Sequence, residues 1–149
     1  MTELWQILYQ STEAYEMDSS DMLKLLLDSR AYNAEHRITG LLIYRNCRFI
    51  QLLEGERDQL HVLYSNIMRD ARHRDISLEI DGPGSGSTRM FSDWHMAFAE
   101  VPNIRGKPVL AAVESDLEAS DALRALSQDH VCALRMLQFL GADNVVAKK

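Results

Sequence analysis

Phe49-Ile50-Gln51-Leu52-Leu53-Glu54-Gly55 is an apolar run with an uncharged amide at its centre, and that combination decides how the chain is read. Large apolar residues on either side of Gln51 favour a buried strand. A primary amide carries donors and acceptors together, and leaving them unpaired inside a protein costs about 1–3 kcal/mol. Gln51 therefore meets a polar partner, supplied either by the protein or by a polar ligand. Immediately upstream, Arg37 to Tyr44 is a second strand of the same character, joined to the first by a polar Arg45-Asn46 turn, so the two pair as a hairpin.

Further out on the amino side, Leu4 to Gln10 is a short strand and Ser11 to Met17 a polar connection. A helix follows, capped by Asp18 or Ser19 and running to about Tyr32, with Asp21 suited to its positive end and Asn33 in its last turn. Leu25, Ser29 and Asn33 are spaced i, i+4, i+8, which stacks an apolar residue, a small residue and an amide along one face. Such a face suits a flat ring. The other stripe, Leu23, Leu26, Leu27 and Ala31, reads as the core-packing side. On the carboxyl side, Glu54-Gly55-Glu56 leads into a second helix to about Ala71, with Leu60, Leu63 and Ile67 on one face, and the charged Arg69 to Arg74 run ends it. Ile76 to Ile80 gives a fourth strand, Gly82 to Ser87 a flexible loop, and Trp94 to Val101 a fifth strand. The order β-α-β-β-α-β-β predicts an α+β, ferredoxin-like sheet, antiparallel or mixed, with both helices on one face.

Pro102 and Pro108 bracket a break, after which Val109 to Gly141 is helical in pattern. Ser115 and Glu118 have capping-box spacing, and Leu123, Leu126, Leu134, Leu137 and Leu140 form an apolar stripe. Residues 1–101 thus read as one domain and residues 102–149 as a helical cap, which either covers the free face of the sheet or meets a partner.

With 149 residues the chain can bury one substantial core. A formal net charge of -6 argues against nonspecific binding to nucleic acid or to anionic membranes, both driven by excess Lys and Arg. Met1-Thr2-Glu3 runs straight into Leu4-Trp5 without a basic start or a long apolar stretch, so the expectation is a cytoplasmic chain with neither signal peptide nor membrane span. Cys47 and Cys132 lack metal-type spacing and read as reduced structural thiols. His36, His61, His95 and His130 show no ligand spacing, and no metal is expected. There is no P-loop, HExxH, glycine-rich dinucleotide fingerprint or Ser/His/Asp set, so no enzyme is expected either.

Several features then coincide. Tyr9 ends the first strand before Ser11, Asn33 precedes Ile38-Thr39-Gly40, and Phe49 to Gly55 is followed by Asp70-Ala71-Arg72-His73 and by Arg89-Met90-Phe91-Ser92-Asp93-Trp94-His95-Met96. In this order and spacing, over about the first hundred of the 149 residues, the chain resembles the BLUF family, the blue-light sensors that use FAD. The resemblance implies an isoalloxazine ring held noncovalently between the two helices, with Tyr9 as photochemical electron donor and Gln51 as hydrogen-bond switch. By the same resemblance Asn33 fixes the polar edge of the ring, Leu25 and Ile67 sandwich it, Arg72 and His73 lie near it, and Asp70 supports them. Trp94 and Met96 fall on the fifth strand, which carries the signal in this family. FMN or riboflavin is an alternative to FAD, and a separate signalling protein or self-association into a homo-oligomer would receive the output.

The residues taken singly allow plainer readings. Tyr9 alone is a strand-edge tyrosine, Gln51 a structural amide, Asn33 a helix-end residue, and Trp94 and Met96 core. His73, between Arg72 and Arg74, is as well explained by a solvated helix end as by flavin contact. The alternative for the whole chain is a non-photoactive ferredoxin-like module that binds a small ligand or a protein.

Overall fold

The computed structural model describes residues 4–84, Arg89 and Ala97–Glu100; Trp94, Met96, Cys132 and the expected extension 102–149 lie outside the described residues. The elements follow as β1 (Leu4–Glu13), α1 (Ser19–Glu35), β2 (Thr39–Arg45), β3 (Arg48–Glu56), α2 (Arg57–Met68), β4 (His73–Pro83) and β5 (Ala97–Glu100). They form one sheet in the order β4-β1-β3-β2-β5. β1 is antiparallel to β3 and β4, β2 is antiparallel to β3, and β5 runs parallel to β2, so the sheet is mixed. Each helix joins two parallel strands that flank a third: α1 crosses over β3 and α2 crosses over β1. This is the ferredoxin-like arrangement expected from the sequence.

Local chemistry sets the ends of the elements. α1 opens on a capping box, in which the Asp18 carboxylate accepts from the Asp21 N–H at 2.9 Å and the Asp21 carboxylate accepts from the Asp18 N–H at 3.1 Å. It closes at Arg37, left-handed at φ 57, while the Ile38 N–H donates to the Asn33 carbonyl at 2.9 Å, a Schellman-type end. The β2–β3 hairpin turns through Asn46 and Cys47, at φ 57 and 67, the left-handed pair of a type I′ turn. The turn therefore lies one residue later than Arg45-Asn46.

Other boundaries move as well. β1 continues through Glu13, pairing Ser11 with Phe49 and Thr12 with Arg48, which absorbs the start of the expected polar connection. Gly82 and Pro83 belong to β4 rather than to a loop. α2 stops at Met68, so Asp70 and Arg72 lie in a turn beyond it. The Asp70 carboxylate accepts from the Arg72 N–H at 2.9 Å, a side-chain bond that competes with helix continuation.

Ile7, Tyr9, Leu42, Tyr44, Phe49 and Leu53 of the sheet meet Met22 and Leu26 of α1 and Leu60 of α2 in one buried cluster. On the opposite face of the strands, Leu8, Leu41, Ile43, Ile50 and Leu52 are fully buried too, which explains the unbroken apolar run around Gln51. The packing stripe of α1 differs from the expected one. Leu26 is buried, but Leu23, Leu27 and Ala31 are exposed. The buried arc centres on Met22, Leu26 and Asn33, and at 3.6 residues per turn the other three fall roughly a quarter turn or more away.

Candidate functional site

α1, α2 and the helix-facing side of the central strands enclose a cavity of about 180 Å³. β1 and β3 supply its floor. Tyr9 and Gln51 are direct cross-strand partners, so their side chains rise on the same face, and the Tyr9 hydroxyl donates to Gln51 Oε1. Both residues are buried. Burial, with Tyr64 and Asp70 nearby adding to it, pushes the Tyr9 phenol well above its ordinary value; a phenolate there would lose its hydration without gaining a cation.

α1 contributes Leu25, Ser29 and Asn33, the row predicted from its spacing, together with Asp28 and Tyr32. Ile67, with Leu63 and Asn66, lines the cavity from α2. Beyond the end of α2, Asp70, Arg72 and His73 complete the wall. Arg72 grips Asp70 through two nitrogens, Nε to Oδ1 at 3.0 Å and Nη2 to Oδ2 at 2.7 Å, and its Nη1 reaches Asp28 on α1 at 3.3 Å. One guanidinium thus ties α1 to the turn after α2 at the mouth of the cavity. Its hydrogen bonds to Asp70 hold that carboxyl below the usual range, outweighing the opposing effect of burial, and raise Arg72 in return.

His73 is braced on both ring nitrogens: Nε2 faces the Ile67 carbonyl at 2.7 Å and Nδ1 faces the Ser11 hydroxyl at 2.8 Å. A carbonyl only accepts, so Nε2 carries a proton. The ring meets Tyr9 edge-on, with centroids 6.1 Å apart. The solvated helix end is therefore not its environment. All nine predicted site residues that fall within the described region line this one cavity; Trp94 and Met96 lie outside the described residues.

Asp28, Tyr32, Leu42, Phe49, Leu63 and Asn66 were not predicted as lining residues, Leu63 having been placed only on the apolar face of α2. The signal for Asp28 and Tyr32 was present, since they stand three and seven positions after Leu25 and so border the same helix face. Phe49 and Leu42 follow from register, being two residues from Gln51 and directly opposite it.

The walls suit a flat heteroaromatic ring. Leu25, Leu63 and Ile67 offer apolar surface, Tyr9, Gln51 and Asn33 place polar groups at depth, and charged residues stand only at the mouth. Apolar walls with a few convergent polar groups are the usual make-up of a cofactor site. Among the described residues, no cluster of His, Cys, Asp and Glu can hold a metal ion, and no helix is long and apolar enough to cross a membrane.

Similar proteins share this frame. Photoactivated adenylate cyclase subunit beta of Euglena longa is 28% identical over 114 residues, 75% of this chain but only 13% of that protein. The dark-state structure of BlrB, a BLUF protein, superposes with a TM-score of 0.64 at 27% identity, covering 98% of this chain and 92% of that one. BlrP1 of Klebsiella pneumoniae, solved with FMN and cyclic diGMP, gives a TM-score of 0.66 at 25% identity, over 90% of this chain and 34% of that one. The family model described as sensors of blue-light using FAD matches residues 4–97, a span that holds the whole cavity, and on that match the chain belongs to the BLUF family of blue-light flavin sensors.

Proposed function

We propose that this chain is a photoswitch in which Tyr9 and Gln51 act as a coupled pair beneath a flavin held between α1 and α2. The observation that carries the reading is the Tyr9 hydroxyl donating to Gln51 Oε1 at the floor of the cavity. A bound flavin supplies absorption of blue light and, once excited, a strong oxidant. Everything else is the work of the chain. Tyr9 keeps its proton in the dark because burial opposes the phenolate, and the existing hydrogen bond gives that proton a path to Gln51 Oε1 when an electron leaves the phenol. With Oε1 taken by Tyr9, the donors of Gln51 stand at the other end of the amide. Rotation or a tautomer change exchanges the ends and so changes the hydrogen bond offered to the ring.

Leu25 and Ile67 would brace the ring faces, Ser29 would leave room beside them, and Asn33 would meet the polar edge. Arg72, held by Asp70, and His73, held by Ser11 and Ile67, guard the open side. FAD is the expected flavin. The FMN in the BlrP1 structure supports a site that reads the ring, so FMN and riboflavin remain acceptable guests. In this reading residues 1–101 are the sensor and residues 102–149 an extension of it, and Trp94 and Met96, which precede β5 in sequence, pass the change outward.

The cyclase relatives carry a matching stretch within far longer chains, which supports a sensor role for this stretch; the proposed receiver of its output is an effector protein or a second copy. The setting is cytoplasmic. One exchanged hydrogen bond is worth only about 0.5–1.5 kcal/mol, so the two output states must be nearly balanced for light to move them.

Absorption spectra before and after blue illumination test the proposal. The purified chain should be yellow, shift slightly to the red in light and recover in the dark, and Tyr9→Phe should bind flavin without the shift. A colourless protein that cannot be reconstituted would favour the non-photoactive ligand-binding module, and a Tyr9→Phe variant that cycles normally would remove Tyr9 from its role.

A further inference from the structure

Arg89 stands in the connection between β4 and β5 and is half-buried. Its Nη1 donates to Thr39 Oγ1 at 3.0 Å and to the Glu54 carbonyl at 3.2 Å, while the Thr39 hydroxyl donates to Glu54 Oε1 at 3.0 Å. Thr39 and Glu54 are cross-strand partners, 3% and 0% exposed. A charged donor that reaches two acceptors on buried residues forms strong, directional bonds. Glu54 lies three residues from Gln51 on β3, and side chains alternate along a strand, so Glu54 faces away from the cavity that Gln51 faces. The Arg89 clamp thus grips the sheet from the side opposite the flavin site, at the end of the strand that carries the switch.

We infer that Arg89 is a positioning residue that couples β3 to β5. It fixes the returning chain against the Thr39–Glu54 pair, so a shift of β3 at Gln51 is delivered to the chain that leads into β5. A second route is visible in the ladder, since Leu42 of β2 pairs with both Gln51 and Phe98. The coupling assigned to Arg89 rests on the proposed role of Gln51, and it is distinct from this direct route because it bypasses the hydrogen bonds of β2 with β5.

Hydrogen exchange of Ala97–Glu100 in the full chain separates the two routes. In flavin-loaded protein, Arg89→Met should keep the dark spectrum and the red shift but lose most of the light-minus-dark exchange difference, with Arg89→Lys retaining most of it. In flavin-free protein, Arg89→Met should raise exchange in this segment severalfold and Arg89→Lys should restore it. Thr39→Val, which removes the shared hydroxyl, should reproduce the loss in part and serves if Arg89→Met does not fold. A light-minus-dark difference equal to that of the unaltered chain in Arg89→Met and Thr39→Val overturns the clamp alone, and no difference in the unaltered chain despite a normal red shift overturns the clamp together with the direct route through β2. Absence of any red shift in the unaltered chain strikes instead at the photoswitch.

Discussion

The phenol of Tyr9 is held neutral by the protein around it, and that has a consequence outside photochemistry. Its proton affinity is raised on folding, above the ordinary value of 10.0. The native state therefore binds a proton that the unfolded state releases once the pH passes 10.0, and stability falls from there upward. Tyr9→Phe should flatten that alkaline loss by about one proton's worth of slope in denaturant titrations, and an unchanged slope would show that the phenol ionises freely. Asp70 acts at the other end of the scale. Its folded value lies below the ordinary 3.8, chiefly through the hydrogen bonds from Arg72. The stabilisation is present above 3.8 and disappears as the pH falls through the lower folded value. Asp70→Asn should remove this acid dependence and loosen the link from Arg72 to Asp28, read as weaker flavin retention on gel filtration.

Among the elements, α1 decides the shape of the cavity, and its orientation makes two leucines unequal. Leu26 is fully buried while Leu27 is 51% exposed, so Leu26→Ala should cost about 2–5 kcal/mol and Leu27→Ala no more than about 0.5, both read from urea unfolding. In β2, a Cβ on Gly40 would come within 2.1 Å of the Leu52 carbonyl oxygen. Gly40→Ala must push β2 and β3 apart beside Gln51, and should destabilise the chain by about 1–3 kcal/mol or more while disturbing flavin binding.

The order of the elements was legible in the sequence, because apolar runs and turn residues alternate cleanly. The facing of α1 was not: leucines at 23, 25, 26 and 27 surround the helix and define no single stripe. The I′ turn was displaced by one residue because Cys47 carries no marker for a left-handed backbone. For the site, the row of Leu25, Ser29 and Asn33 came from helical spacing and the need of Gln51 for a polar partner came from chemistry. That the partner is Tyr9 depends on a register joining strands 42 positions apart, and local sequence does not contain it; the family resemblance supplied it.

For the molecule as a whole, ligand and fold are linked. A flavin that fills the gap between α1 and α2 binds only the folded chain, and by mass action it stabilises by about 2.7 kcal/mol at a free concentration 100 times its dissociation constant. Flavin-free protein should melt at lower temperature, and titration with FAD, FMN and riboflavin should raise the midpoint in the order of their affinities. Equal midpoints with and without flavin would show that the folded chain does not bind flavin in preference to the unfolded one. The strand order β4-β1-β3-β2-β5 sets Gln51 on the middle strand, with neighbours on both sides and buried leucines on the far face. Strands so enclosed open only when everything opens. The colour change is then reported from the stiffest ground in the protein: its amplitude should hold steady on warming, indifferent to fraying at the rim, and vanish abruptly at the melting point.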